Sequence, residues 1–360
     1  MSSLAGGTAP RRATVVGAGL IGGSIGMALR AQGWHVCGHD LDSTSLDLAL
    51  ACGAIDEVGV DEASEITFVA TPLEAVEGAV RAALEVTSGV VTDVAGVKAP
   101  LVELMAEPRF VGGHPMAGSE RDGVGGARVD LFNGAAWVLT PVAETSDVAF
   151  ALVRSTVSSF GAEVIALPPG EHDRIVAVVS HVPHLTAATL MSLADEEAEE
   201  HRALLRMAAG GFRDMTRVAS GTPAIWPDVC FENRTAIVRG LDQLIHELGA
   251  VRDIVAARDR AALLSRLEAA RSARRSLPTR VAGAADLVEV RLPLQDEAGA
   301  LVTVLLRAAE LGVSVADVEI AHSVEGDGGV LVLVVEAHPA KRFVEALAAD
   351  GRTVSVVPIP

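Results

Sequence analysis

The chain has no tyrosine, three tryptophans and eight phenylalanines among 360 residues. Its cores are therefore expected to be built from Ala, Val, Leu and Ile. No phenolic hydroxyl is available for acid–base work. Cysteine is scarce too: Cys37, Cys52 and Cys230 are too few and too scattered for a disulfide framework or a zinc site. Buried thiols in a reducing cytoplasm and no bound metal are the expectations that follow. Basic residues are in deficit, 29 against 47 acidic ones, for a net charge of −18. That balance argues against a nucleic-acid binder, which needs a basic face for phosphates. No uncharged apolar stretch of ~18 residues or more is read here, so no membrane span is expected. Residues 1–12 place their arginines after the small residues, the reverse of a signal peptide's order.

What is present suits a folded protein. Half the residues are hydrophobic and 21% are charged. The length suits two or three domains. Strand candidates at 13–17, 34–40, 66–70, 89–93, 110–113, 135–140 and 163–167 are mostly separated by helical stretches. Alternating β and α elements predict an α/β domain over 11–169, a Rossmann-type doubly wound parallel sheet. Strand-like runs then disappear. Helical patterns at 183–208, 226–248 and 250–276 predict an all-helical domain over 170–277, a type that often dimerises. The pattern breaks at Leu277-Pro278, and residues 281–285 read as a linker. Residues 286–360 then follow a βαββαβ order, the ferredoxin-like arrangement.

Five segments carry candidate chemistry. Gly17-Ala18-Gly19-Leu20-Ile21-Gly22 follows a strand and opens a helix. In this context Gly17 permits the turn, Gly19 admits a pyrophosphate, and Gly22 lets the helix pack on the strand. Asp40 ends the next strand, where a carboxylate accepts from ribose hydroxyls and repels the extra phosphate of NADP. NAD is therefore the expected cofactor, with Thr71, Asp93 and Lys98 placed beside it. Thr92–Lys98 and Gly112–Glu120 both follow predicted strands, at the sheet's ligand-binding end. A histidine there, His114, is either an acid, base or donor, or an ordinary loop histidine.

In Ser180-His181-Val182-Pro183-His184, Pro183 suits a first helical turn and Ser180 a cap. The two histidines lack a nearby third ligand, which disfavours metal. Gly210–Ala219 followed by Trp226 brings Arg213 and Arg217 close in sequence. They are suited to carboxylate recognition or to structural ion pairs.

Taken together and in order, these segments resemble the prephenate and arogenate dehydrogenases over roughly residues 13–275. The motifs concerned are Gly17–Ser24, Asp93-x-x-x-Val97-Lys98, His114–Glu120, Ser180–Leu185 and Gly211–Arg217 with Trp226. The C-terminal residues resemble a regulatory ACT domain, with Asp296-x-x-Gly299-x-Leu301 opening its first helix.

The resemblance implies oxidation of prephenate or arogenate by NAD, a homodimer, and feedback by tyrosine or another aromatic amino acid. It implies that His184 accepts the ring-hydroxyl proton and that His114 orients substrate beside the nicotinamide. It places Ser180 next to the substrate and Arg217 on a carboxylate. Arg213, Ser119, Glu120 and Trp226 complete the substrate site, with Glu120 and Asp214 as a polar gate. One departure is clear: the family's usual serine is Gly96 here.

The acidic chain must then gather cations locally, and Lys98, Arg121, Arg213 and Arg217 all lie in motif segments. Two alternatives differ in class. A β-hydroxyacid dehydrogenase would carry a catalytic lysine where this chain has Ser180–Leu185. A non-catalytic sensor of NAD and an amino acid would not need His114, His184 and Arg217 together.

Overall fold

Short β-branched runs punctuated by glycine open the chain, and each becomes a strand. The computed structural model describes residues 10–119, 121–200, 210–276, 287–295, 297, 299–322 and 328–358. It divides into two compact units, Met1–Arg258 and Asp259–Pro360.

In the first unit β1 (Arg12–Val16), α1 (Leu20–Ala31), β2 (His35–His39), α2 (Ser43–Ala51), β3 (Glu57–Val58), β4 (Ile66–Val69), α3 (Leu73–Val86), β5 (Val90–Asp93), α4 (Ala99–Leu104) and β6 (Phe110–Pro115) alternate. β7 (Ala136–Thr140), α5 (Asp147–Ser159) and β8 (Glu163–Ala166) complete the sheet. The strand order is β3-β2-β1-β4-β5-β6-β7-β8. The order reverses about β1, so a crevice opens between the carboxyl ends of β1 and β4, where this architecture binds ligands.

The sheet departs from the expected all-parallel form at one seam, where β7 runs antiparallel to β6. The connection between them carries only a 3-10 turn, Val124–Gly126, and no α-helix. A parallel return needs a long crossover, usually helical, and here the chain doubles back instead.

The cores are mainly aliphatic, as the composition predicts, with one aromatic cluster among them. Phe68, Phe132, Trp137 and Phe160 pack against one another in one cluster, with their rings tilted or edge-on. Three of them are wholly buried. Scarce aromatics are thus concentrated where large side chains fill most volume.

The helical part begins with α6 (Pro169–Val176), continues through a π-turn at Ala177–His181, and runs on as α7 (Val182–Glu200). This corrects the reading of Ser180 as a cap: the helix has no start there. The wide turn accommodates Pro183, whose ring nitrogen has no hydrogen to donate. The same continuity corrects the membrane reading. Pro169–Glu196 is a 28-residue helix containing an 18-residue window of mean hydropathy 1.4, long and apolar enough by length and composition to cross a membrane. Then follow α8 (Gly210–Thr216), α9 (Trp226–Glu232) and α10 (Arg234–Ala256).

The second unit opens with α11 (Arg260–Arg275). The expected linker at 281–285 lies outside the described residues. β9 (Leu287–Gln295), α12 (Ala300–Glu310), β10 (Val315–His322), β11 (Gly328–Glu336), α13 (Ala337–Ala349) and β12 (Ser355–Pro358) follow. They form an antiparallel sheet ordered β10-β11-β9-β12. Val290, Leu292, Leu331, Leu333 and Val335 point from it onto Val304, Ala308, Phe343 and Leu347 of the helices. Alternate strand residues share a face, so the two helices cover one side.

Candidate active site

The glycine-rich turn is dictated by close contacts. Gly17 adopts φ +98°, and a Cβ there would strike the Ala70 carbonyl. A Cβ on Gly22 would strike the Gly17 carbonyl. Around Gly19, by contrast, nothing lies within 4 Å of the position a Cβ would take. That is the open cradle a pyrophosphate needs at the start of α1, where Leu20 and Ile21 begin the helix.

Asp40 stands at the end of β2 with one carboxylate oxygen accepting from the Ala18 N–H at 2.6 Å. It therefore pins the turn as well as being placed for a ribose. The Thr71 hydroxyl is buried with no hydrogen-bond partner among the described residues, and its backbone nitrogen borders Gly17. An orphaned polar atom beside an open cradle fits a bound dinucleotide.

A buried polar chain extends from the end of β5 into the helical part. Lys98 and Asp93 are both fully buried and paired through Nζ and Oδ2. Asp93 also accepts from the Ala95 N–H at 2.8 Å and the Gly113 N–H at 3.1 Å. The backbone N–H groups of Lys98 and Ala99 donate to the Asp173 carboxylate, each at 2.8 Å. Asp173 Oδ1 lies 2.8 Å from His172 Nδ1, and His172 Nε2 lies 2.9 Å from His114 Nδ1. The other edge of His114 faces Gly96: a Cβ there would be 3.7 Å from His114 Nε2. His114 is thus anchored on one nitrogen and open on the other.

A second group lies along α7 and α9. The His184 ring stacks on Trp226 with centroids 3.6 Å apart and planes 13° from parallel. His181 is buried, meets Trp226 edge-on and has its Nδ1 3.2 Å from the Asn233 amide nitrogen. Asn233 also donates to the Asp173 carbonyl at 2.8 Å, tying α10 to α6. Ser180 lies half-buried in the π-turn.

An open cleft of about 470 Å³ is lined by Gly118, Ser119, Arg121 and Arg217, two of them cationic. Arg213 is exposed on α8. Glu120 falls outside the described residues.

The electrostatics favour neutral histidines. Burial pushes the His114 pKa well below the ordinary value, and the charges of His172, Lys98 and His181 push the same way. His181 is lowered to about 4, mainly by burial, with Asp173 opposing. Burial also lowers His184. Lys98 is lowered by burial against the pull of Asp93.

The sequence reading missed His172, Asp173 and Asn233. A polar Glu171-His172-Asp173 run beside Pro168-Pro169-Gly170 was the one signal, and periodicity treats such a run as a solvated face. Among the described residues, His35, Cys37 and Glu57 also gather ligand atoms within 4.8 Å of one another. They sit on β2 and β3, and burial pushes the Cys37 thiol up, with Asp61 and Glu57 acting the same way and Arg12 opposing.

Comparison with known proteins agrees with this geometry. The prephenate dehydrogenase nucleotide-binding domain matches residues 25–166, and the prephenate dehydrogenase dimerization domain matches 168–269. A prephenate dehydrogenase of Bacillus subtilis is 31% identical over 349 residues, 92% of this chain and 94% of that one. The Aquifex aeolicus prephenate dehydrogenase, solved with hydroxyphenyl propionate and NAD+, is 28% identical at a TM-score of 0.70, over 74% of this chain and 98% of that one. The Synechocystis arogenate dehydrogenase is 29% identical at a TM-score of 0.65, over 73% of this chain and 98% of that one. A dinucleotide cradle, a histidine anchored in a buried polar chain and two matching family domains lead to one conclusion: the chain belongs to the prephenate dehydrogenase family.

Proposed function

We propose that this chain oxidatively decarboxylates prephenate to 4-hydroxyphenylpyruvate and CO2, with NAD as its cofactor. The observation that carries the reading is His114, held on Nδ1 and open on Nε2 beside the cofactor loop. Gly17, Gly19, Gly22, Asp40 and Thr71 would hold the dinucleotide, which supplies the hydride acceptor when bound. His114 Nε2 takes the proton of the ring hydroxyl as the hydroxyl carbon is oxidised. The ring carboxylate leaves as CO2, its bonding electrons complete the aromatic ring and place charge on the ring oxygen, and that oxygen takes the proton back from His114. Arg217 and Arg121 hold substrate carboxylate in the cleft, where a planar guanidinium offers paired donors. Orientation and one base suffice, because aromatisation supplies much of the driving force.

This reading moves the base from His184, where the family resemblance placed it, to His114. His184 has one ring face covered by Trp226 and serves as a wall of the substrate pocket. His114 has the anchored tautomer and the position next to Gly96 and Lys98.

The chain serves as a homodimer in this reading. Val178, Val179, Leu193, Val238, Ile245 and Leu248 are exposed apolar residues of the helical part, and a second copy covers them. This accounts for the low charge of Pro169–Glu196 without a membrane. The division into 11–169, 170–277 and 286–360 goes with it. The last segment acts as an ACT-like sensor of an aromatic amino acid. Its strand order and the left-handed Gly299 at the start of α12 support that role. The Bacillus subtilis match, over 92% of the chain, takes in most of this unit. Of the three thiols expected to be buried only Cys37 is, with Cys52 exposed and Cys230 half-buried, and their lack of a disulfide supports a reducing cytoplasmic setting.

The test follows NADH formation with prephenate, with arogenate and with a simple 2-hydroxy acid, each with and without tyrosine. Turnover of prephenate and its inhibition by tyrosine are expected. Preference for arogenate would reassign the substrate, and no turnover of any would overturn the enzyme reading.

Gly96 gives a second test. A serine there places its hydroxyl within reach of His114 Nε2 and the substrate hydroxyl. One added hydrogen bond of ~0.5–1.5 kcal/mol corresponds to about a two- to tenfold rise in kcat for Gly96→Ser. An unchanged or lower kcat would show that the native site already fills that position.

A further inference from the structure

The reading of His114 as base leaves open what keeps its Nε2 free of a proton. We infer that His172 and Asp173 are positioning residues that set the tautomer of His114 through a directional hydrogen-bond relay. The inference rests on the assignment of His114 but is tested apart from it.

The argument is one of donors and acceptors. An ionised carboxylate only accepts. Asp173 accepts from the N–H groups of Lys98 and Ala99, so its remaining contact, to His172 Nδ1, must also be filled by a donor. His172 Nδ1 therefore carries hydrogen. His172 is wholly buried, and in its neutral form Nε2 is then the acceptor. The 2.9 Å contact to His114 Nδ1 is satisfied only if His114 donates from Nδ1. His114 Nε2 is left with a lone pair, facing the space in front of Gly96.

Each link is fixed by packing. Asp173 is held by the loop that carries Lys98 and by Asn233, which binds its carbonyl. The loop is in turn anchored through Lys98 and Asp93 to the strand end beside the cofactor cradle. The relay therefore joins the cofactor loop to the base. When His114 takes a proton at Nε2, the imidazolium keeps its Nδ1–H···His172 bond, and the Asp173 carboxylate lies at the far end of the chain. No atom of His172 or Asp173 needs to touch substrate.

Two variants of His172 separate positioning from folding. His172→Phe preserves bulk and removes both hydrogen bonds. His172→Gln keeps an oxygen to accept from His114 and an N–H to donate to Asp173. A hydrogen-bond partner that orients a functional histidine is typically worth ~10- to 100-fold, so His172→Phe is expected to lose about that in kcat, with the KM for prephenate within about threefold. His172→Gln should recover most of it. Nitrogen-15 NMR of the imidazoles in the full chain reads the tautomer directly: His114 should be protonated on Nδ1 in the native chain and in His172→Gln. In His172→Phe it should become a mixture. Far-UV circular dichroism checks folding of both.

An unchanged His114 tautomer in His172→Phe, or His172 found protonated on both nitrogens in the native chain, would overturn the relay. If His114→Gln keeps its activity while the tautomer still follows His172, the base assignment fails and the relay stands.

Discussion

Replacing His114 with glutamine is expected to lower kcat for prephenate oxidation by about two to four orders of magnitude, the usual worth of a positioned general base. The KM for NAD should stay within about threefold, because the cradle of Gly17, Gly19 and Asp40 is untouched. The same change at His184, stacked on Trp226, should raise the KM for prephenate more than it lowers kcat. If His184→Gln gives the larger loss in kcat, the base lies there instead. A pH profile adds an independent sign. A base must be neutral to accept, and burial together with His172, Lys98 and His181 disfavours the charged form of His114. Activity is therefore kept as pH falls through the ordinary histidine range near 6.5, and is lost only below it. A descending limb centred at or above the ordinary value would contradict this environment.

The second large effect is on stability. Lys98 and Asp93 have no exposed side-chain surface. Lys98→Met keeps the length of the side chain but leaves a buried carboxylate with only the N–H groups of Ala95 and Gly113. Breaking one side of a buried pair typically costs ~3–5 kcal/mol, whereas replacing both partners costs far less. The first unit is therefore expected to unfold at markedly lower urea in Lys98→Met, with more than half the loss recovered in Asp93→Asn/Lys98→Met. The chain offers a clean probe. It has no tyrosine, and Trp34, Trp137 and Trp226 all fall within Met1–Arg258. Intrinsic fluorescence thus reports the first unit alone. A loss below about 1 kcal/mol would mean that water reaches the pair or that the loop relaxes around it.

Much of the architecture could be read from local pattern. Gly17-x-Gly19-x-x-Gly22 between a strand and a helix announced the dinucleotide turn, because each glycine answers a steric demand set within a few residues or by the adjoining strand. The order of strands and helices also followed, since a period of two or of 3.6 is a property of the chain itself. The antiparallel β7 did not follow. A strand's direction depends on how the chain returns to the sheet, and a glycine-rich connection does not announce it. The helix through Ser180 and Pro183 was misread for a related reason: proline and serine signal a start only where the preceding residues are not already helical.

The site divided in the same way. His114, Lys98, Asp93 and Arg217 stood in motifs whose residue types state their chemistry. His172, Asp173 and Asn233 stood in none. Asp173 lies 75 positions from Lys98, and His172 lies 58 from His114. Their value comes from meeting across a fold.

The motifs in order, through their resemblance to a known family, were enough for the family, the cofactor and the cast of candidate residues. Only the tertiary structure could choose among the histidines. A side chain's protonation and direction are set by what burial removes and which donors remain, and those neighbours are brought together by packing.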